Sequence, residues 1–283
     1  MRSERGRTSR VGWRPAMSGT AGRRAGAFGF ALLSVMLLAG LLAPVLAVAD
    51  PFALTGPSLS PPSVDHPMGT DALGRDLFSG VLYGTRTSLL IAAAVALLAS
   101  ACGVTVGIVA GYRGGLVDDL LMRITELFQV MPRFILVAVM IALFGPGLDR
   151  VVLTLGLTSW PTLARVVRGE ILATRNLEFV LSAEALGATR TRIFWRVLLP
   201  QVLPSVLVLV GLMLGQVLLL EASLGFLGLG DPNTLTWGSL AGQAQGYLRV
   251  AWWLPLFPGL AITLTVLGFN LFADGLAALT QRR

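Results

Sequence analysis

Apolar residues dominate this chain in long blocks, and polar residues gather in the gaps between them. Six blocks approach the roughly 20 residues that a helix needs to cross a hydrocarbon layer about 30 Å thick. They run from Gly26 to Ala49, Thr87 to Tyr112, Val117 to Phe144, Val151 to Val167, Val202 to Leu227 and Ala251 to Ala278. The pattern therefore predicts an all-α membrane protein with six spans. The third block carries Arg123, Glu126, Pro132 and Arg133, and the fourth is short with Trp160 and Pro161 inside it. Gly103, Gly107 and Gly111 recur at the four-residue spacing that lets membrane helices approach closely. They predict tight packing of the second span, within the subunit or against a partner.

The polar gaps set orientation, because arginine-rich flanks stay in the cytoplasm. The tail before the first span holds Arg2, Arg5, Arg7, Arg10, Arg14, Arg23 and Arg24 against Glu4, which keeps it inside. Asp50, Asp65, Asp71 and Asp76 outnumber the arginines of the next gap, which suits the outside. Later gaps alternate in the same sense, so both termini are expected in the cytoplasm. The resulting division is an Arg-rich tail (1–25), a first anchor helix (26–49), an extracytoplasmic segment (50–86) and a transmembrane core (87–280) with a large inner loop at 169–200. Ala47-Val48-Ala49 matches a signal-cleavage pattern, but the apolar run exceeds the usual 7 to 15 residues of a signal core. The first span is therefore expected to be retained.

The inner loop contains LSAEALGATRTRIFWRVLLP, residues 181 to 200. Asn176 is placed to cap a short helix, with Glu178 in its first turn and Gly187 as the left-handed residue that ends it. Thr189 is placed to cap a second helix running to Pro200, on which Arg192 and Arg196 share a face at i, i+4 spacing and Ile193, Phe194, Val197 and Leu198 share another. That second helix should lie along the membrane surface, with Trp195 near the interface. The first helix has a low surface of Ser182, Ala183, Ala185 and Ala188. An ordinary interfacial loop and a docking helix for a cytoplasmic protein both satisfy these residues.

Composition removes several function classes. Hydrophobic residues make up 54% and charged residues 13%, which agrees with a membrane protein. The net charge of +7 comes entirely from arginine, and the arginines flank apolar runs instead of covering a soluble face. That placement argues against nucleic acid as partner. With no lysine, the chain has no GxxxxGK[ST] phosphate loop and no Schiff-base lysine. Its one cysteine, Cys102, and one histidine, His66, cannot build a disulfide framework or a His/Cys metal cluster.

Three stretches carry a resemblance. The inner loop is similar to the EAA loop of permease subunits of ABC-type importers: Glu-Ala-Ala, three residues, glycine, nine residues, isoleucine, one residue, Leu-Pro. With Gly187 as the glycine, Val197 stands for the isoleucine and Leu199-Pro200 closes the pattern. The opening departs, since Leu181, Ser182 and Ala183 occupy the Glu-Ala-Ala positions and Glu184 comes three places late. HPMGTDALGRDLFSGVLYGTRTSLL from His66, EASLGFLGLGDPNTLTWGSL from Glu221 and WWLPLFPGLAITLTVLGFNLFADGL from Trp252 resemble the C-type permease of the dipeptide, oligopeptide and nickel branch.

The resemblance implies a MetI-like permease that performs no covalent chemistry and holds no cofactor. ATP and Mg²⁺ would sit in two partner ATPase subunits. A second permease subunit would complete the pathway, and an extracellular solute-binding protein would deliver cargo. It also implies a coupling helix at 176–187, with Leu181, Ser182, Ala183, Glu184, Ala185, Gly187, Ala188, Arg192 and Pro200 as docking residues. Peptides are the implied cargo, and nickel or another small solute is the alternative. An ion-coupled secondary transporter would need coupling carboxylates in symmetric halves, and Glu126 and Glu221 are not so placed.

Ionisable side chains inside spans are costly and mark function by default. Glu126, Arg133 and Glu221 are thus candidates for the translocation path or a gate. At about 1.5 Å per residue, Arg133 and Glu221 lie roughly 24 and 28 Å from the inner ends of their spans. The similar depths suggest that they pair. Snorkelling of Arg133, or an answer to Glu126, is the competing arrangement. Glu126 is expected beside Arg123 at i, i+3.

Overall fold

The computed structural model describes residues 20–280 apart from 176, 194, 195 and 197, with backbone alone at 179, 181, 183, 184, 190, 191 and 280. Helices α1 (Thr20–Leu41), α2 (Ala43–Leu46), α3 (Leu77–Arg113), α4 (Gly115–Val130), α5 (Arg133–Phe144) and α6 (Leu148–Thr174) form the first half. Helices α7 (Glu178–Ala185), α8 (Arg190–Ile193), α9 (Leu199–Phe226), α10 (Trp237–Gln243) and α11 (Trp253–Thr280) follow. Among the described residues, α1, α3, α9 and α11 are each long and apolar enough to span a membrane.

The third apolar block is not one straight span. It breaks between α4 and α5 with a bend of 78°, where Pro132 withholds a backbone donor and ends the helical ladder. The pair counts as one broken span by length and composition. The fourth block, expected over 17 residues, lies inside the 27-residue helix α6. Asp149, Arg150, Arg165, Arg168 and Glu170 lower the apolar character of α6, which is why its ends were illegible as a span. The second block also grows. Asp76 accepts from the backbone N–H of Ser79 at 2.8 Å and starts α3 ten residues before Thr87. At 37 residues, α3 is about 55 Å long and projects beyond a hydrocarbon layer.

Packing follows the small residues. Along α3, a Cβ at Gly103 would lie 2.8 Å from the Trp160 carbonyl oxygen, and one at Gly107 would lie 2.5 Å from that of Ala164. Gly111 meets Ile171 in the same way. The glycine ladder therefore seats α3 parallel to α6 within this subunit, so the tight contact expected of Gly103, Gly107 and Gly111 is intramolecular. Gly26 meets Gly275, and Gly29 meets Phe272, which makes α1 and α11 antiparallel. The start of α1 and the end of α11 thus share one end of the bundle.

Two apolar clusters fill the interior. The larger joins α3, α6, α9, α10 and α11 around the fully buried Trp237. The smaller gathers Ile108, Val167, Ile171 and Val202 at the opposite end, beneath α7 and α8.

Candidate functional site

The connection between α6 and α9 is a thin layer with apolar roots. Val180, Ile193 and Leu198 are buried in the smaller cluster, against the ends of α3, α6 and α9. Burying each such side chain contributes about 1.5–3 kcal/mol. Ser182, Ala185 and Gly187 are exposed, and Leu186 is 88% exposed at the tip. Gly187 adopts φ +79, the left-handed conformation expected of it, and open space surrounds its Cα. The turn is closed by Leu186 N–H donating to the Ser182 carbonyl at 3.0 Å.

Beyond Gly187, the Thr189 carbonyl accepts from Ile193 N–H at 3.0 Å, and the Thr189 hydroxyl receives Arg192 N–H at 3.4 Å. The second helix is described only as Arg190–Ile193. Its expected continuation through Phe194, Trp195 and Val197, and the cap at Asn176, lie outside the described residues. So do the side chains of Leu181, Ala183 and Glu184. Arg192 and Pro200 are exposed and Ala188 is half-buried.

Polar ties brace the helices under this layer. Arg168 of α6 grips Asp118 of α4 with two parallel bonds, Nε to Oδ1 at 2.5 Å and Nη2 to Oδ2 at 2.6 Å. Such forked guanidinium–carboxylate pairs fix orientation as well as distance. Arg175 donates to the Gly111 carbonyl at 2.8 Å and so satisfies a free acceptor at the end of α3. Glu170 lies beside Ser205 of α9. Sequence reasoning missed these ties and the exposure of Leu186. The only signal was their position: ionisable residues a turn or two from helix ends, where partners are other helix ends.

The three intramembrane candidates do not come together. Glu221 is 4% exposed and accepts from the Ser88 hydroxyl of α3 at 3.4 Å, with the Thr236 side chain beside it. The same Ser88 oxygen accepts the Trp237 backbone N–H at 3.2 Å. Trp237 Nε1 donates to the Val81 carbonyl at 3.2 Å. Glu221 therefore knits α3, α9 and the start of α10, and needs no arginine.

Arg133 instead reaches Thr162 of α6 at 3.4 Å. The expected Arg133–Glu221 pair is corrected accordingly: equal depth along two helices says nothing about which faces meet. Nor does Glu126 pair locally with Arg123. Its carboxylate lies 4.0 Å from Arg165 of α6, with both side chains exposed.

Residues 103–283 match the family described as the binding-protein-dependent transport system inner membrane component. The chain belongs to this family. It is a transport permease embedded in a membrane through several helices. A dipeptide transport system permease protein of Bacillus subtilis (strain 168) is 39% identical over 255 residues, covering 89% of this permease and 79% of the relative. A probable D,D-dipeptide transport system permease protein of Escherichia coli (strain K12) is 36% identical, covering 87% and 83%. An oligopeptide transport system permease protein of Bacillus subtilis is 33% identical, covering 93% and 87%. A solved chain of the inward-facing MetNI methionine ABC transporter matches with a TM-score of 0.55 at 20% identity, covering 70% of this permease and 96% of that chain. At that identity the likeness speaks to fold alone. The matched family region contains α6 through α9, so the loop and all three intramembrane candidates fall within it.

Proposed function

We propose that this permease forms one half of the translocation pathway of an ATP-driven peptide importer, with the layer around Gly187 as the element that receives work. The supporting observation is geometric. A short helix ends at a left-handed glycine, exposes Ser182, Ala185 and Leu186, and roots Val180, Ile193 and Leu198 among the ends of three long helices. A displacement of the exposed rod is passed to α3, α6 and α9, because packed elements shift as rigid bodies. Peptide cargo is supported by the printed names of relatives matched over most of the chain.

The partners in this reading are two ATPase subunits that hold ATP and Mg²⁺, a second permease subunit and an extracellular binding protein. Both termini lie in the cytoplasm, as the arginine-rich composition of the stretch before α1 supports. The test replaces Gly187 with valine. At φ +79 a β-branched residue is strained by about 1–3 kcal/mol, although nothing crowds it. ATP hydrolysis by the reconstituted complex should persist while peptide import falls at least roughly tenfold, the rate equivalent of about 1.4 kcal/mol. Unchanged import would remove the coupling assignment.

A further inference from the structure

The break between α4 and α5 has a feature that neither helix packing nor coupling uses. A cavity of about 100 Å³ opens there, lined by Arg133, Ser159, Thr162, Met213 and Gln216 among others. Thr162 lies about midway along α6, and Met213 and Gln216 about midway along α9. The cavity is therefore far from both membrane surfaces, where an unmatched cation is costly. Arg133 is partly buried, and its one side-chain hydrogen bond among the described residues is the long contact to Thr162. A guanidinium offers five donors, so most of its capacity is unused.

Two independent features point to an anion as the missing partner. Ser159, 1% exposed, also lines the cavity, and its Oγ has no hydrogen-bond partner among the described residues. A buried hydroxyl left in that state is rare in a native fold and needs an explanation. Arg133 is also the first residue of α5, a 12-residue helix whose Pro132 cap supplies no side-chain acceptor. Its first amide N–H groups, at Arg133, Phe134 and Ile135, have no intrahelical acceptor, and the helix dipole makes that end attract negative charge. Half-helix N-termini at the bilayer midplane are a general solution for holding anionic cargo.

We propose that this break is a carboxylate subsite that holds the C-terminal carboxylate of a peptide in transit, with Arg133 as the cationic fork and Ser159 as the buried donor. Size agrees. The volume is well below the 300–1,000 Å³ of pockets that enclose whole ligands, so it suits one terminal group while the rest of the peptide lies in the open pathway. Thr162 and Gln216 are exposed at the mouth, where that pathway would run. The proposal rests on the reading of the chain as a peptide permease. An acidic side chain of the second permease has the same chemistry and is separated from the peptide by the test.

The complete transporter, reconstituted with its binding protein and ATPases, would be assayed for uptake of dialanine and of dialanine amide, both first shown to load the isolated binding protein. The unaltered complex should favour the free acid by about tenfold, the scale of one charged hydrogen-bonded contact. Arg133→Gln should reduce uptake of the acid by about tenfold and leave the amide unchanged. Ser159→Ala, which removes one oxygen and little volume, should shift the preference in the same direction by roughly two- to threefold. Equal loss for both peptides in Arg133→Gln would show that the arginine neutralises a fixed carboxylate, and would overturn the proposal. No loss for either would overturn it as well. If the unaltered complex hydrolyses ATP but imports neither peptide, this proposal and the peptide reading beneath it both fall.

Discussion

The two ends of the bundle are built on opposite plans. At the α10 end, several buried polar groups are completed by the chain itself. Asp76 accepts the Ser79 backbone N–H and hydroxyl and meets His66 Nδ1 at 2.9 Å. Trp253 Nε1 donates to the Thr70 carbonyl at 3.2 Å, and Glu221 accepts from the Ser88 hydroxyl. At the loop end, the Asp118–Arg168 and Arg175–Gly111 ties brace the helices, but the layer above them is internal only at its roots: Val180, Ile193 and Leu198 are buried while Leu186 is 88% exposed. The lesson is a division of labour. Polar ties hold the helix ends around α10, and the loop layer is left exposed, where the proposed function seats an ATPase subunit.

Three substitutions sharpen this contrast. The largest effect on folding should come from Gly107→Val, because its first added carbon would sit 2.5 Å from the Ala164 carbonyl oxygen and 2.7 Å from Val167 Cβ. Overpacking of this kind costs about 1–3 kcal/mol or more. It is expected to cut the yield of monodisperse permease in detergent several-fold, measured by size-exclusion chromatography, and wild-type yield would argue against the α3–α6 seat.

Next comes Glu221→Ala, which removes the acceptor of the buried Ser88 hydroxyl at a cost of about 1–3 kcal/mol. At about 2–4 °C per kcal/mol for a chain of this order, the thermal midpoint should drop by several degrees. Glu221→Gln, which keeps acceptor and shape, should lose less. If the two variants melted alike, the carboxylate would not be the tie described. The smallest effect on folding should come from Leu186→Asp. This surface change is expected within about 0.5 kcal/mol of wild type, yet co-purification of the ATPase subunits should fail. Retained ATPase at normal stoichiometry would show that the tip is not the docking face.

The order of these effects also measures what the sequence could reveal. Apolar block length located the long helices, because hydrocarbon thickness sets a minimum span regardless of neighbours. The left-handed turn at Gly187 was equally legible, since only local backbone sterics decide it. The glycine spacing of α3 announced a close helix contact and left its partner open. Lateral facts were not legible. Arg133 and Glu221 sit at similar depths, but Glu221 faces Ser88 and Arg133 faces Thr162, and depth alone carries no rotation about the helix axis. Pro132 marked a possible kink without its 78° size. The Asp118–Arg168 clasp joins residues fifty positions apart, and no local periodicity encodes such a pairing.

The contrast between the tied α10 end and the exposed loop end is tested most directly by proximity in the assembled complex. The single cysteine, Cys102, would be replaced by alanine, and one new cysteine introduced at Leu186 or, as the control, at Leu73, which is 58% exposed. A reagent carrying a maleimide for the cysteine and a photoactivated benzophenone that inserts into neighbouring C–H bonds should join position 186 to an ATPase subunit in high yield and leave position 73 free of ATPase adducts. An ATPase that co-purifies at full stoichiometry yet forms no adduct with position 186 would contradict the assignment of the Gly187 layer as the surface that receives work.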